Sequence, residues 1–120
     1  MSFKSAHDLI AEAKGRIREV AARDVLGMLE RGEDVALVDV REDREWSLGH
    51  LPGALHMSRG TLEQKIEQAV PRGRRVVLYC ASGNRSALAA DSLAQMGYRD
   101  VASLAGGIRG WVDAGGEVEG

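Results

Sequence analysis

Two short apolar runs constrain the fold of this chain more than any other sequence feature. They occupy residues 35–40 and 76–79, and neither alternates polar and apolar residues as a strand with one face in water does. Runs of this kind are typical of parallel sheets, in which helices cover both faces. Weaker extended patterns at residues 18–20, 54–58 and 101–104 predict three further strands.

Helical patterns separate these strands. Apolar spacing predicts helices over residues 5–16, 22–31, 42–48, 61–70 and 86–96, and a short helix with Ile108, Trp111 and Val112 near the end. The alternation predicts an α/β fold, a parallel sheet with helices on both faces. We expect one domain over residues 17–114, an added helix within residues 1–16 that Ser5 and Asp8 cap, and a frayed tail over residues 115–120.

The distribution of charged and apolar residues excludes two classes of partner. The 16 basic and 18 acidic residues are mixed along the chain, whereas a nucleic-acid-binding protein needs a concentrated basic face. No apolar run approaches the roughly 18 residues that cross a bilayer, and charges interrupt the region where a secretory signal would be apolar. We therefore expect a cytoplasmic protein that binds neither nucleic acid nor membrane.

Cys80 is the single cysteine of the chain, which excludes an intramolecular disulfide, a CxxC redox pair and a cysteine-built metal site. The histidines, His7, His50 and His56, lack the spacing of metal ligands. The sequence thus predicts no metal and no organic cofactor. Any chemistry of Cys80 that needs a second thiol requires another molecule.

The segment after the second apolar run carries the candidate site. Cys80 ends the predicted strand, and a turn of small residues leads into the next helix. Backbone N–H groups in such a turn converge on one point, and the helix dipole strengthens their field. The pKa of a thiol held there should be lowered, because these donors stabilise the thiolate. Gly83 permits the tight curl of the backbone, and Arg85 adds a positive charge at the rim.

Four motifs follow one another within roughly residues 17–112. They are Asp39-Val40-Arg41-Glu42 with Glu45 and Trp46, Gly49-His50-Leu51-Pro52-Gly53-Ala54, Cys80-Ala81-Ser82-Gly83-Asn84-Arg85-Ser86, and Leu104-Ala105-Gly106-Gly107-Ile108 with Trp111. In the same order they resemble the D-V-R-E…E-[WFY] stretch, the G-H-I-P-G-A turn, the C-x-x-G-x-R-S active-site loop and the closing L-x-G-G-x-x-x-W of the rhodanese family.

The resemblance implies a five-stranded parallel sheet and sulfur transfer through a cysteine persulfide. The donor would be a small molecule such as thiosulfate, and the acceptor would be cyanide, a small thiol or a protein thiol. Cys80 matches the family's nucleophile, and Arg85 is the second candidate catalytic residue. The residues that match the sulfur-binding loop are Ala81, Ser82, Gly83, Asn84 and Ser86. Asp39 and Arg41 match a pair near the site, to which we assign a structural role.

Several alternatives remain open from the sequence. In phosphatases and arsenate reductases of related fold, a C-x5-R pattern places five residues between the cysteine and the arginine. Four residues separate Cys80 from Arg85 in this chain. The shorter loop favours a cradle for a single sulfur atom. A carrier that delivers sulfur to one partner, with little free turnover, is the main competing function. Locally, Arg41 and Glu45 can pair at i,i+4, and Ser82 or Asn84 can cap the helix after the loop.

Overall fold

The computed structural model describes residues 2–120, in which five strands alternate with six helices. The strands are β1 (Arg18–Val20), β2 (Ala36–Asp39), β3 (Leu55–His56), β4 (Val76–Tyr79) and β5 (Val101–Leu104). The helices are α1 (Ala6–Arg16), α2 (Ala22–Glu30), α3 (Asp43–Ser47), α4 (Leu62–Ala69), α5 (Asn84–Gln95) and α6 (Gly107–Asp113). Within these residues, each helix is too short or too polar to cross a membrane.

All strand pairs of the single sheet are parallel, and the strand order is β1-β5-β4-β2-β3. The predicted α/β architecture is therefore confirmed. After β2 the chain first moves outward to β3 and then returns to place β4 on the opposite side of β2. Such a reversal opens a crevice at the carboxyl ends of the two strands, where sheets of this kind bind ligands.

Helices cover both faces of the sheet, and each face has its own apolar core. On one face, α4 and α5 pack on β2 and β4 through Ile66, Leu93 and Leu78. On the other, α2 and α6 supply Val25 and Trp111. The strands are apolar on both sides because alternate residues enter the two cores.

The added helix α1 is held on the outside of α5. Its capping box forms as predicted, since the Ser5 hydroxyl accepts from Asp8 N and the Asp8 carboxylate accepts from Ser5 N. Ala13 is buried, and both carboxylate oxygens of Asp91 on α5 accept hydrogen bonds from Arg16, at 3.0 and 2.8 Å. The boundary at residue 17 stays a prediction.

The prediction of a frayed tail is wrong. His50 and Glu119 exchange two backbone hydrogen bonds of 2.8 Å, and the indole N–H of Trp111 donates to Glu117 O at 2.7 Å. A buried tryptophan needs a partner for its N–H, and the returning tail supplies the carbonyl.

Gly107 is the tightest point between α6 and the loop after β4. A Cβ there would lie 2.5 Å from Ala81 C, Ala81 O and Cys80 O, and its φ of +59° also disfavours other residues. Gly107→Ala should lower the free energy of unfolding by about 2 kcal/mol or more, because backbone atoms cannot move aside cheaply. Urea denaturation measures this change.

Gly15→Ala is the matched control, since nothing lies within 4 Å of a Cβ at this helical position. It should raise stability by about 0.5–1 kcal/mol, because alanine is the better helix former. Equal effects of the two substitutions would show that close packing at Gly107 is unimportant.

Candidate active site

Cys80 follows the last residue of β4 and therefore lies at the crevice between the carboxyl ends of β2 and β4. Its side chain is almost fully enclosed, with 1% of the residue exposed. The next residues curl around the sulfur, and Gly83, with φ 106°, turns the chain into α5. The helix consequently begins at Asn84, two residues earlier than predicted.

Three donor groups surround the sulfur of Cys80. The Gly83 N–H donates to Sγ at 3.1 Å and the Ser86 N–H at 3.4 Å, and the Ser86 hydroxyl lies 3.5 Å away. The alternative role of Ser82 or Asn84 as a side-chain cap of α5 is not observed. Gly83 is the N-cap residue and makes no side-chain bond, so the first amides of the helix stay available for the sulfur.

These donors set the charge state of the thiol. Burial is the largest influence and by itself raises the pKa of Cys80, because it penalises the thiolate. The Ser86 hydroxyl and the amides of Ser86, Gly83 and Ser82 oppose it, and together they bring the pKa below its ordinary value. The predicted direction is confirmed. The arrangement therefore stabilises a negative charge on the sulfur.

Ser103, a residue of β5, lies behind this cradle. Its hydroxyl is 2.8 Å from the Ser86 hydroxyl, and both side chains are fully buried. The sequence reasoning did not identify Ser103. The available signal was a hydroxyl residue inside an otherwise apolar strand, Val101–Leu104.

The outer side of the loop rests on α6. Ile108 N donates to Cys80 O at 2.9 Å and Arg109 N donates to Ala81 O at 3.3 Å, across the contact at Gly107. Gly107 of the Gly106-Gly107 pair thus permits close packing of α6 on the loop.

Asp39 and Arg41 form a buried support beneath the crevice. The Asp39 carboxylate accepts from Arg41 Nε at 3.1 Å, from Arg41 Nη2 at 2.8 Å and from the Arg41 N–H at 2.9 Å. The guanidinium also donates to Gly49 O at 2.6 Å. The pair thus ties the end of β2 to the Gly49 turn.

The predicted pairing of Arg41 with Glu45 is wrong. Arg41 lies before α3, so the two residues do not share a helix face, and Arg41 turns inward to Asp39. Glu45 instead accepts two hydrogen bonds from Arg85, at 2.7 and 3.0 Å. This contact between the second predicted site residue and α3 was not foreseen. No local pattern connects the two residues, which lie 40 positions apart in the sequence.

The structure thus brings the residues of the predicted loop together around one sulfur atom. Ser86 and Gly83 contact the sulfur directly, whereas Asn84 lies in the first turn of α5 and Ala81 faces α6 through its carbonyl. Within residues 2–120, no three His, Cys, Asp or Glu side chains lie close enough to hold a metal ion.

A family model described as a rhodanese-like domain matches residues 21–114. The chain belongs to the rhodanese family. A sulfurtransferase of Allochromatium vinosum is 36% identical over 99 residues, which cover 82% of this chain and 92% of that relative. The family membership confirms the resemblance of the four motifs.

Two further proteins are similar to this chain, one in sequence and one in structure. The probable adenylyltransferase/sulfurtransferase MoeZ of Mycobacterium tuberculosis is 35% identical over 107 residues, 88% of this chain, which spans only 27% of that relative. A structure from Rhodopseudomonas palustris has a TM-score of 0.88 and 34% identity, and the match covers 99% of this chain and 97% of that one. It is described as a protein of unknown function and possible tyrosine phosphatase.

The hydroxyl of Ser86 is expected to lower the pKa of Cys80 measurably. Ser86→Ala removes the hydroxyl that opposes the effect of burial but keeps the Ser86 amide, so the pKa of Cys80 should rise toward the ordinary thiol value. Ultraviolet absorbance of the thiolate across a pH series measures the shift. Ser82→Ala, which removes a hydroxyl but no side-chain bond to the sulfur, should leave the titration unchanged.

Asp39→Asn should destabilise the protein by about 3–5 kcal/mol, because it leaves the Arg41 guanidinium buried without its counter-charge. Chemical denaturation measures the loss. Asp34→Asn serves as the control, since Asp34 pairs with Arg74 while its side chain is 78% exposed. Its cost should stay below about 1 kcal/mol, and a similar cost for both would contradict the supporting role of Asp39.

Proposed function

We propose that this chain is a sulfurtransferase in which the Cys80 thiolate carries a sulfane sulfur as a persulfide. The observation that carries the proposal is the cradle of amide and hydroxyl donors around Sγ, the shortest at 3.1 Å. Such donors stabilise a thiolate before reaction and a persulfide anion after it. The sulfurtransferase of Allochromatium vinosum, matched over most of both chains, supports the same class of reaction.

The proposed reaction has two steps. The Cys80 thiolate attacks the outer sulfur of thiosulfate, an S–S bond forms to Cys80, and the bond to the sulfonate sulfur breaks to release sulfite. Cyanide or a thiolate then attacks the outer sulfur of the persulfide, and the electrons of the breaking S–S bond return to Cys80. Because Cys80 is the single cysteine, the second nucleophile comes from another molecule.

Arg85 lies beside the loop, where its charge can assist an anionic donor. The hydrogen bond to Glu45 is the main cause that raises the pKa of Arg85, and the charge on Cys80 adds to it. The guanidinium of Arg85 and the negative charge on the sulfur therefore attract each other. We assign it a role in donor binding.

Phosphate ester hydrolysis is a second candidate, because the Rhodopseudomonas palustris neighbour is described as a possible tyrosine phosphatase. Four residues separate Cys80 from Arg85, and in this short loop the donors Gly83 N and Ser86 N converge on Sγ itself. We therefore expect no turnover of a generic aryl phosphate. A Cys80-dependent phosphatase activity above that of sulfur transfer would reverse the order of the two candidates.

A partner-specific sulfur carrier is the alternative within sulfur transfer. The nearly complete enclosure of Cys80 favours an acceptor that presents its thiol on a narrow group. Such a carrier would load sulfur yet turn over slowly with cyanide. A cytoplasmic location and a protein acceptor stay predictions.

Cys80→Ser should abolish thiocyanate formation from thiosulfate and cyanide, because serine cannot hold the transferable sulfur. The colorimetric thiocyanate assay measures turnover, and mass spectrometry after thiosulfate treatment should show wild-type protein heavier by one sulfur atom. Loading without turnover would favour the carrier. A wild-type protein that neither turns over nor loads would refute the proposed function.

A further inference from the structure

The positive charge of Arg85 is already matched before any donor binds. Its guanidinium donates to both carboxylate oxygens of Glu45, at 2.7 and 3.0 Å, and the two side chains are 37% and 30% exposed. A bidentate pair of this kind fixes the plane of the guanidinium as well as its charge. Arg85 therefore adjoins the loop around Cys80 as one half of a neutral pair.

Glu45 is built into α3 in a way that keeps it in this position. Its carboxylate also accepts from the Glu42 N–H at 3.1 Å as part of the capping box of α3. The hydrogen bonds from Arg85, with smaller contributions from Glu42 N–H and from the charges of Arg85 and Arg41, lower the pKa of Glu45 to about 2 despite partial burial. Glu45 is consequently ionised wherever the Cys80 thiolate forms.

The other acid–base pair at the crevice is neutral as well, because Asp39 and Arg41 bind each other. The groups that contact the sulfur are themselves neutral, namely the amides of Gly83 and Ser86 and the hydroxyl of Ser86. A dianion next to Cys80 interacts more strongly with a nearby positive charge than a monoanion does, and Glu45 competes with it for Arg85.

We propose that Glu45 is a positioning residue that sets donor selectivity, because by holding Arg85 it disfavours dianionic sulfur donors such as thiosulfate relative to monoanionic ones such as thiosulfonates and organic hydropersulfides. The inference rests on the proposed sulfurtransferase function. In this inference a residue of α3 determines which class of donor is preferred, and Cys80 carries out the sulfur transfer.

Two donors that differ by one charge test this inference. With thiosulfate, the Cys80 thiolate forms the persulfide and releases sulfite. With methanethiosulfonate, the thiolate attacks the same kind of outer sulfur, the S–S bond of the donor breaks, and methanesulfinate leaves. Cyanide removes the sulfur as thiocyanate in both cases, so the second step is common to the two assays.

The quantity to measure is the ratio of kcat/KM for thiosulfate to kcat/KM for methanethiosulfonate. Glu45→Gln should raise this ratio about fivefold to tenfold over the wild type, the effect of one unit charge on one additional donor charge a few ångströms away. Arg85→Ala, which leaves the Glu45 charge unopposed, should lower the ratio by a similar factor. The double variant, neutral like the wild-type pair, should return it close to the wild-type value.

Glu33→Gln is the matched control. Glu33 also binds arginines, with Arg31 at 2.6 Å and Arg75 at 2.9 Å, and its side chain is 32% exposed, but it precedes β2 at the opposite end of the sheet. It should leave the ratio unchanged. A change in the thiolate fraction of Cys80 acts on both donors alike and cancels in the ratio.

A Glu45→Gln ratio that stays at the wild-type value, with both donors slowed equally, would overturn the inference and leave Glu45 a structural residue. Wild-type turnover with either donor keeps the proposed function intact in that case. Absence of sulfur loading of Cys80 from both donors would instead refute the proposed function, and the inference with it.

Discussion

The contact between the loop after β4 and the beginning of α6 is the constraint on which the site depends. A loop that directs its amides inward to the sulfur must direct carbonyls outward, and buried carbonyls need donors. Ile108 N and Arg109 N supply them to Cys80 O and Ala81 O, and this approach is possible only because Gly107 has no side chain. The loop over residues 80–86 thus surrounds the sulfur, and the beginning of α6 supports that loop from its outer side.

Two ion pairs lie near the site, one buried and one partly exposed. Asp39 and Arg41 are buried and fix the end of β2 to the Gly49 turn. Glu45 and Arg85 are partly exposed and lie at the mouth of the loop. A buried pair stabilises its position at the cost of desolvation, whereas a partly exposed pair can exchange partners more easily when a charged molecule arrives.

Much of this structure could be predicted from the sequence, because the information is local. The apolar runs at residues 35–40 and 76–79 indicated β2 and β4, and the small-residue turn after Cys80 indicated a ring of amides with a lowered thiol pKa. What could not be predicted depends on distant contacts. Spacing alone suggested that Glu45 could pair with Arg41, and only the fold brings Glu45 of α3 to Arg85 of α5. The pairing of Glu119 with His50 likewise joins segments that no local pattern connects.

The hydrogen bond between the hydroxyls of Ser86 and Ser103 can run in either direction. A hydroxyl both donates and accepts, and it can turn about its C–O bond without displacing its neighbours. When the sulfur is anionic, Ser86 can donate to Sγ while it accepts from Ser103, and when the sulfur is protonated the two hydroxyls can reverse their direction. Rotation of two hydroxyl groups can therefore accompany a change of charge at the sulfur without displacement of their oxygen atoms.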